Sequence, residues 1–239
     1  GVFGPTVSTK YGGGGLDYTS YGIIMQDVER GASGMRSTAS VQGPLVMHPI
    51  NKYGSEEQKM KYLPKLASGE MLGCFGLTEP DHGSNPGGMI TNFKDAGDGE
   101  NVILNGAKMW ISNAPFADIA VVWAKDENND IRGFILEKDM KGLSCPKIKG
   151  KFSLRTSNTG MIFMDNVIVP KENILPNGIR TPTRIACDQH RLEIPRSGEC
   201  HEEWHTRRRS LSVLEYPIVG IRILARKGKF PIGLKSARQ

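Results

Sequence analysis

The sequence has little cysteine: four residues in 239, at Cys74, Cys145, Cys187 and Cys200, without framework spacing. That excludes a disulfide scaffold and fits a reducing compartment. No apolar run approaches the roughly 18 residues that cross a bilayer, so no membrane span is expected. No G-x-G-x-x-G opens a helix after a strand, which argues against a nicotinamide-binding Rossmann unit. An initiating Met and a targeting segment are also lacking. The chain opens in GVFGPTVSTKYGGGGLDY and reads as a piece whose amino end lies elsewhere, so any address it carried is unread.

The net charge of +6 is unevenly placed. Residues 1–177 carry 18 Lys+Arg against 19 Asp+Glu, and residues 178–239 carry 13 against 6. The base changes as well, from 14 Lys and 4 Arg to 3 Lys and 10 Arg. A seam therefore lies near Asn177, and the basic surplus belongs to the tail alone.

Pro5–Gly15 is loop-like, with a glycine run that lets backbone approach a neighbour closely. Leu16, Tyr21, Ile24, Met25 and Val28 then follow a helical period. VQGPLVMHPINKYG is ambiguous because of Pro44 and Pro49. In SEEQKMKYLPKLASGE, Ser55 and Gln58 form a capping box; the helix is expected to bend or end near Pro64, and Gly69 marks its exit. From Met71 the period changes. MLGCFGLT, NVILNGAKMWIS, IAVVWAK, IRGFILEK, FSLRTS and GMIFMDNVIV read as strands separated by turn clusters such as DAGDGEN and KDENNDI. Strands so spaced, without intervening helices, predict an antiparallel sandwich or barrel. The expected fold is α+β: a partial helical region over 1–70, an antiparallel β-sandwich or barrel over 71–177, and a basic tail over 178–239. The tail holds neither period and is expected to be disordered.

Chemistry is expected first in FGLTEPDHGSNPGGM, Phe75 to Met89, which offers hydroxyls at Thr78 and Ser84. Backbone N–H groups beside Gly83 and Ser84 suit a phosphate, because small residues admit an anion closely. An ordinary β-turn loop accounts for the same composition. Further on, Lys108–Asn113 ends a strand with Trp110, Ile111 and Ser112 in succession. A flat ring can lie on such a platform while Ser112 donates to a ring nitrogen; a core Trp at a strand end is the plainer reading.

Together these segments carry a resemblance. YGGGGLDYTSYGIIMQDVER, VQGPLVMHPINKYGSEEQKMKYLPKLASGEMLGCFGLTEP, KMWIS, IRGFILEK, KGLS and GKFSLRTSNTGMIFMDNVIVPKENILP are similar to the acyl-CoA dehydrogenases, a flavoprotein family, and within it most to the glutaryl-CoA dehydrogenases. The resemblance runs nearly unbroken from Gly1 to Asn177. It implies FAD as cofactor, with Phe75, Gly76, Leu77, Thr78, Gly83 and Ser84 lining the flavin and its pyrophosphate. Trp110, Ile111 and Ser112 are implied to face the isoalloxazine. It also implies an acyl-CoA substrate, glutaryl-CoA being oxidised and decarboxylated to crotonyl-CoA. Arg36, in GASGMRSTASVQ, matches an Arg that meets the far carboxylate of the acyl chain, a group that guanidinium suits through paired hydrogen bonds. Ser37 is an implied neighbouring contact, Ser84 touches flavin and thioester, and Glu29 matches a second polar group of the pocket. Read without the resemblance, Arg36 is a surface ion pair worth about 0–1 kcal/mol. Electron-transfer flavoprotein is the implied acceptor and a homotetramer the implied assembly, in the mitochondrial matrix of a eukaryote or the cytoplasm of a bacterium. Three positions depart from the family: Asn85 replaces Asp, His82 replaces a small residue, and Ser112 replaces Thr while keeping the hydroxyl.

The family's base, a Glu of a carboxy-terminal helical bundle, has no match. Glu193, Glu199, Glu202, Glu203 and Glu215 lie outside its motif, so no catalytic residue is assigned. A change of reading frame near Asn177 is one account of the tail, and an alternative splice or retained intron are others. Codons for Ile232–Arg238 exist that, shifted by one base, encode Leu-Ala-Ser-Asn-Gln-Leu, similar to a stretch of that bundle. Cys187, His190, Cys200, His201 and His205 are zinc-ligand types at a non-standard spacing. Arg207–Arg209 suits nucleic acid or anionic lipid but sits in no recognisable module. Neither metal nor nucleic acid is expected. The chain as written is expected to be inactive; the competing expectation is a non-catalytic fragment that binds flavin weakly and engages partners through its basic tail.

Overall fold

The computed structural model describes residues 1–176; the expectations for the tail, zinc ligands and arginine cluster included, lie outside them. The helices begin where caps start them. Asp17 accepts the Ser20 amide at 2.8 Å and opens α1 (Tyr18–Gly31), and α2 (Ser33–Ser40) follows after Ala32 turns extended. VQGPLVM, ambiguous in sequence, continues as a wide π-helical turn, Val41–Met47, that takes Pro44 inside it. Next, α3 (His48–Tyr53) continues directly from it and carries Pro49 in its first turn. Ser55 and Gln58 make the expected capping box of α4 (Glu56–Ser68), and Gly69 closes that helix at φ 83°. The helix does not end near Pro64. The helix runs through it because Tyr62, Leu63 and Leu66 are buried, and that packing outweighs one lost backbone bond.

A seven-stranded sheet follows: β1 (Gly73–Gly76), β2 (Asn92–Asp95), β3 (Asn101–Ser112), β4 (Ile119–Lys125), β5 (Ile131–Glu137), β6 (Leu143–Ser144) and β7 (Thr159–Pro170). Helices preceding a β-region is the order expected. The sheet is mixed rather than antiparallel, however, because the chain forms the β2–β3 pair before returning to lay β4 parallel to β1, Gly73 beside Ile119. The remaining long pairings, β3–β7 and β4–β5, are antiparallel. FSLRTS is no strand: Phe152 is 93% exposed and Leu154 sits at φ 48°, so its alternation has nothing to bury against. Conversely, β2 and β6 are too short, and too exposed, to show a period.

β4 is apolar from Ile119 to Ala124 because it is buried there on both faces. Ile119, Val121 and Trp123 pack with Ile50, Leu63, Leu66 and Phe75 on the helical side. Ala120, Val122 and Ala124 pack with Leu104, Ile162, Met164, Val167 and Val169 inside the curled sheet. Fully buried Gln42 fastens the two parts. Its Nε2 donates to the Leu66 and Met71 carbonyls at 2.9 and 2.8 Å, and its Oε1 accepts the Gly73 amide at 2.8 Å.

Candidate functional site

β1 leads into the loop that carries the Thr78 and Ser84 hydroxyls, and a buried ion pair touches both the departing and the returning end of that loop. Glu79 Oε1 lies 2.8 Å from Lys108 Nζ, with both side chains 1% exposed or less. Glu79 also accepts the Ile90 and Thr91 amides at 2.7 and 3.0 Å. Lys108 further donates to the Leu77 carbonyl at 3.3 Å. Burial brings Lys108 down to about 8 although Glu79 pulls it upward. Burial pushes the Glu79 carboxyl up, but the Ile90 amide, Lys108 and Thr91 outweigh it and hold it below the usual range.

Two irregularities of β3 bracket Lys108. Its register against β7 shifts between Leu104 and Gly106 and again between Lys108 and Ile111. At the first, Gly106 stands at φ 145°, and a Cβ there would lie 2.5 Å from Thr91 Oγ1, so the loop's returning end requires glycine. At the second, the Met109 amide donates to the Thr78 carbonyl at 2.9 Å, and Trp110 is held at φ 62° with 55% of its surface exposed. An aromatic at positive φ costs about 1–3 kcal/mol. Burial does not offset it, since the ring faces outward.

A second cluster lies on α1 and α2. Arg36 Nε donates to Glu29 Oε2 at 2.6 Å, and Ser33 Oγ donates to Glu29 Oε1. Arg36, then Ser33, hold the Glu29 carboxyl below its ordinary value. Ser37 Oγ lies 3.2 Å from Ser157 Oγ, and Gly34 seats so closely that a Cβ would come 2.4 Å from Thr156 Oγ1. Asn113, buried at φ 70°, joins this cluster to the strands. Its Nδ2 donates to the Gly73 carbonyl at 3.2 Å and reaches the Thr38 carbonyl at 3.5 Å, and its amide donates to the Asn158 carbonyl at 2.8 Å.

Asn113 and Thr78 thus link the end of β3 to α2 and to the loop after β1. Trp110, Ile111 and Ser112 precede Asn113 on β3, with Ile111 buried and Ser112 half-buried; Arg36 and Ser37 precede Thr38 on α2. Phe75 stacks edge-on against Trp123 at 6.2 Å in the core, Leu77 is buried, and Gly76 is enclosed by Ile162, Val122 and Lys108. All three positions are buried. Gly83 and Ser84 lie on the exposed outer loop, where a Cβ at Gly83 would meet open space. Sequence reasoning passed over the Lys108–Glu79 pair, Gln42, Asn113 and the Thr156–Ser157 seat. A lysine and a carboxylate inside otherwise apolar or permissive stretches were the available signal for the first.

Two family models match the chain: "Acyl-CoA dehydrogenase, N-terminal domain" over residues 1–70 and "Acyl-CoA dehydrogenase, middle domain" over residues 74–167. The glutaryl-CoA dehydrogenase of Desulfococcus multivorans is 38% identical over an alignment of 182 positions that covers 73% of this chain and 46% of that protein. The mitochondrial isovaleryl-CoA dehydrogenase of Pongo abelii is 37% identical over an alignment of 181 positions that covers 73% of this chain and 42% of that protein. A glutaryl-CoA dehydrogenase from Mycobacterium smegmatis, solved in complex with FADH2, aligns with a TM-score of 0.74 at 45% identity over 80% of this chain and 49% of that one. The chain therefore spans less than half the length of each of these relatives.

Proposed function

We infer the function from one premise, that the chain belongs to the acyl-CoA dehydrogenase family: its described residues hold FAD and the acyl end of a carboxylate-bearing acyl-CoA, glutaryl-CoA. The observation that carries this reading is Trp110, kept exposed and strained beside the Thr78 loop and joined through Asn113 to the helix bearing Arg36. Strain held at an exposed aromatic is what a ring-binding platform requires and what a core residue does not. The residues fit FAD. Trp110 and Ser112 would flank the ring with Thr78 and Ser84 beside it, and the loop at Gly83 would follow the pyrophosphate side, where Gly83 leaves room for an anion. When bound, FAD accepts the hydride leaving the acyl β-carbon. Arg36 would orient the substrate by its far carboxylate: Glu29 holds Nε and Ser40 Oγ lies 3.5 Å from Nη1, so the ligand would be met through the Nη groups. No described residue is assigned the proton abstraction. Electron-transfer flavoprotein as acceptor, a homotetramer, and the mitochondrial matrix or bacterial cytoplasm complete the proposal.

The relatives include an isovaleryl enzyme, so the substrate rests on Arg36. A second reading, flavin binding without turnover, is favoured by the lack of an assigned base among the described residues. Anaerobic titration of the FAD-reconstituted full chain separates the two. Bleaching by glutaryl-CoA ahead of butyryl- or isovaleryl-CoA is the result that the first reading requires. Retained flavin that no acyl-CoA bleaches supports the second reading, and failure to take up FAD overturns both.

A further inference from the structure

The Lys108–Glu79 pair is out of proportion to any gain in stability. Burying two charges is costly, and a well-packed apolar pair commonly does as well or better, so such a pair points to a positional task. Its contacts define that task. Glu79 stands where the loop departs and binds the Ile90 and Thr91 amides where it returns, while Lys108 joins both ends through Glu79 and the Leu77 carbonyl and lies 3.9 Å from Met89 Sδ. The exposed excursion between them, carrying Gly83 and Ser84, is thereby closed at its base on a single ammonium. That ammonium sits on β3 two residues before Trp110, between two register shifts. Hydrophobic side chains of equal volume would fill the space, but they would accept neither amide and leave the loop's ends free to move independently of the strand.

We propose that Lys108 and Glu79 are positioning residues: a buried clasp that sets the loop bearing Gly83 and Ser84 in register with the Trp110 platform, so that one cofactor can touch both. The inference rests on the functional reading above for the identity of the cofactor, but not for the clasp itself.

The test uses the full chain with Lys108→Met, Glu79→Gln and the double variant, read by amide hydrogen exchange and by FAD titration followed through flavin fluorescence. Lys108→Met is expected to speed exchange at Ile90, Thr91 and the loop by about tenfold or more while β4 and β5 keep their protection. FAD affinity falls by about tenfold alongside it. The double variant recovers part of both losses, because no buried charge is left unpaired. Glu79→Gln, the gentler change, loosens the same segment and keeps the flavin absorption band shifted toward that of free FAD. Unchanged loop exchange, or equal loosening of loop and sheet, overturns the clasp. A loosened loop with undiminished FAD affinity overturns its positioning role. If the unmodified chain takes up no FAD, the functional reading fails by itself and exchange alone decides the clasp.

Discussion

Replacing Gln42 with Met keeps the side chain's length and removes its amide. The Leu66 carbonyl that Gln42 serves is among the last four of α4, beyond the reach of any helical N–H, and the Gly73 amide is the first of β1. Two carbonyls and one amide lose a buried partner together. Each such loss costs about 1–3 kcal/mol, with the carbonyls toward the lower end because a second lone pair remains. Relaxation around a single site makes the losses less than additive, and the apolar Met gains a little by burial, which leaves about 3–5 kcal/mol. Domains are stable by only about 5–15 kcal/mol, so this is a large share. With a urea slope of about 2 kcal/mol/M, the midpoint should fall by about 1.5–2.5 M at unchanged slope. Tryptophan fluorescence reads the transition, since Trp123 lies in the core against Phe75. A shift below about 0.5 M would refute the claim that one amide fastens the helices to β1.

Other consequences follow from the same geometry. Trp110→Gly should leave the stability read by urea unfolding unchanged or raise it by up to about 1 kcal/mol, since φ 62° strains a bulky residue but suits glycine, while FAD uptake weakens; a clear loss of stability would place the ring in the core. Arg36→Ala should cost about 0–1 kcal/mol in stability, its pair with Glu29 being half-exposed, yet cut the preference for glutaryl- over butyryl-CoA about tenfold; an unchanged preference removes Arg36 from carboxylate recognition. Burial lowers Lys108 to about 8 from 10.5, so the unfolded chain holds that proton longer on raising the pH. The Lys108 contribution to stability should therefore climb as pH rises from about 8 to 10.5 and stay flat below. Thermal melts across that range should show the climb in the unmodified chain and not in Lys108→Met, and parallel curves would contradict it.

Much of the fold is legible in the chain because local and tertiary preferences agree. The Ser55–Gln58 box and the Gly69 exit are written in adjacent residues, and the doubly buried β4 reads as IAVVWA. What escapes is what tertiary packing decides. Pro64 signals a break that Leu63 and Leu66 override, and FSLRTS alternates like a strand yet finds no partner. The parallel lie of β1 on β4 depends on a crossover that no local pattern encodes. At the site, Trp110–Ser112 stands out by its chemistry, whereas its strained backbone does not, because positive φ at a tryptophan has no sequence signature. Lys108 and Glu79 are invisible as a pair for a similar reason: they lie 29 residues apart, and only folding brings them together.

The parallel seating of β1 on β4 also sets an order of events during synthesis. Leu72, just before β1, must wait for Asp118, 46 residues later, before its amide finds a partner. Until then the helices have emerged with Leu63, Leu66 and Ile50 but without Ile119, Val121 and Trp123 to cover them. Closing so long a segment is slow compared with forming a helix, so a nascent chain dwells with an open apolar face. Chaperone capture should therefore peak while residues 70–118 are leaving the ribosome and fall once β4 has followed, which makes β4 the strand whose late arrival decides between folding and aggregation.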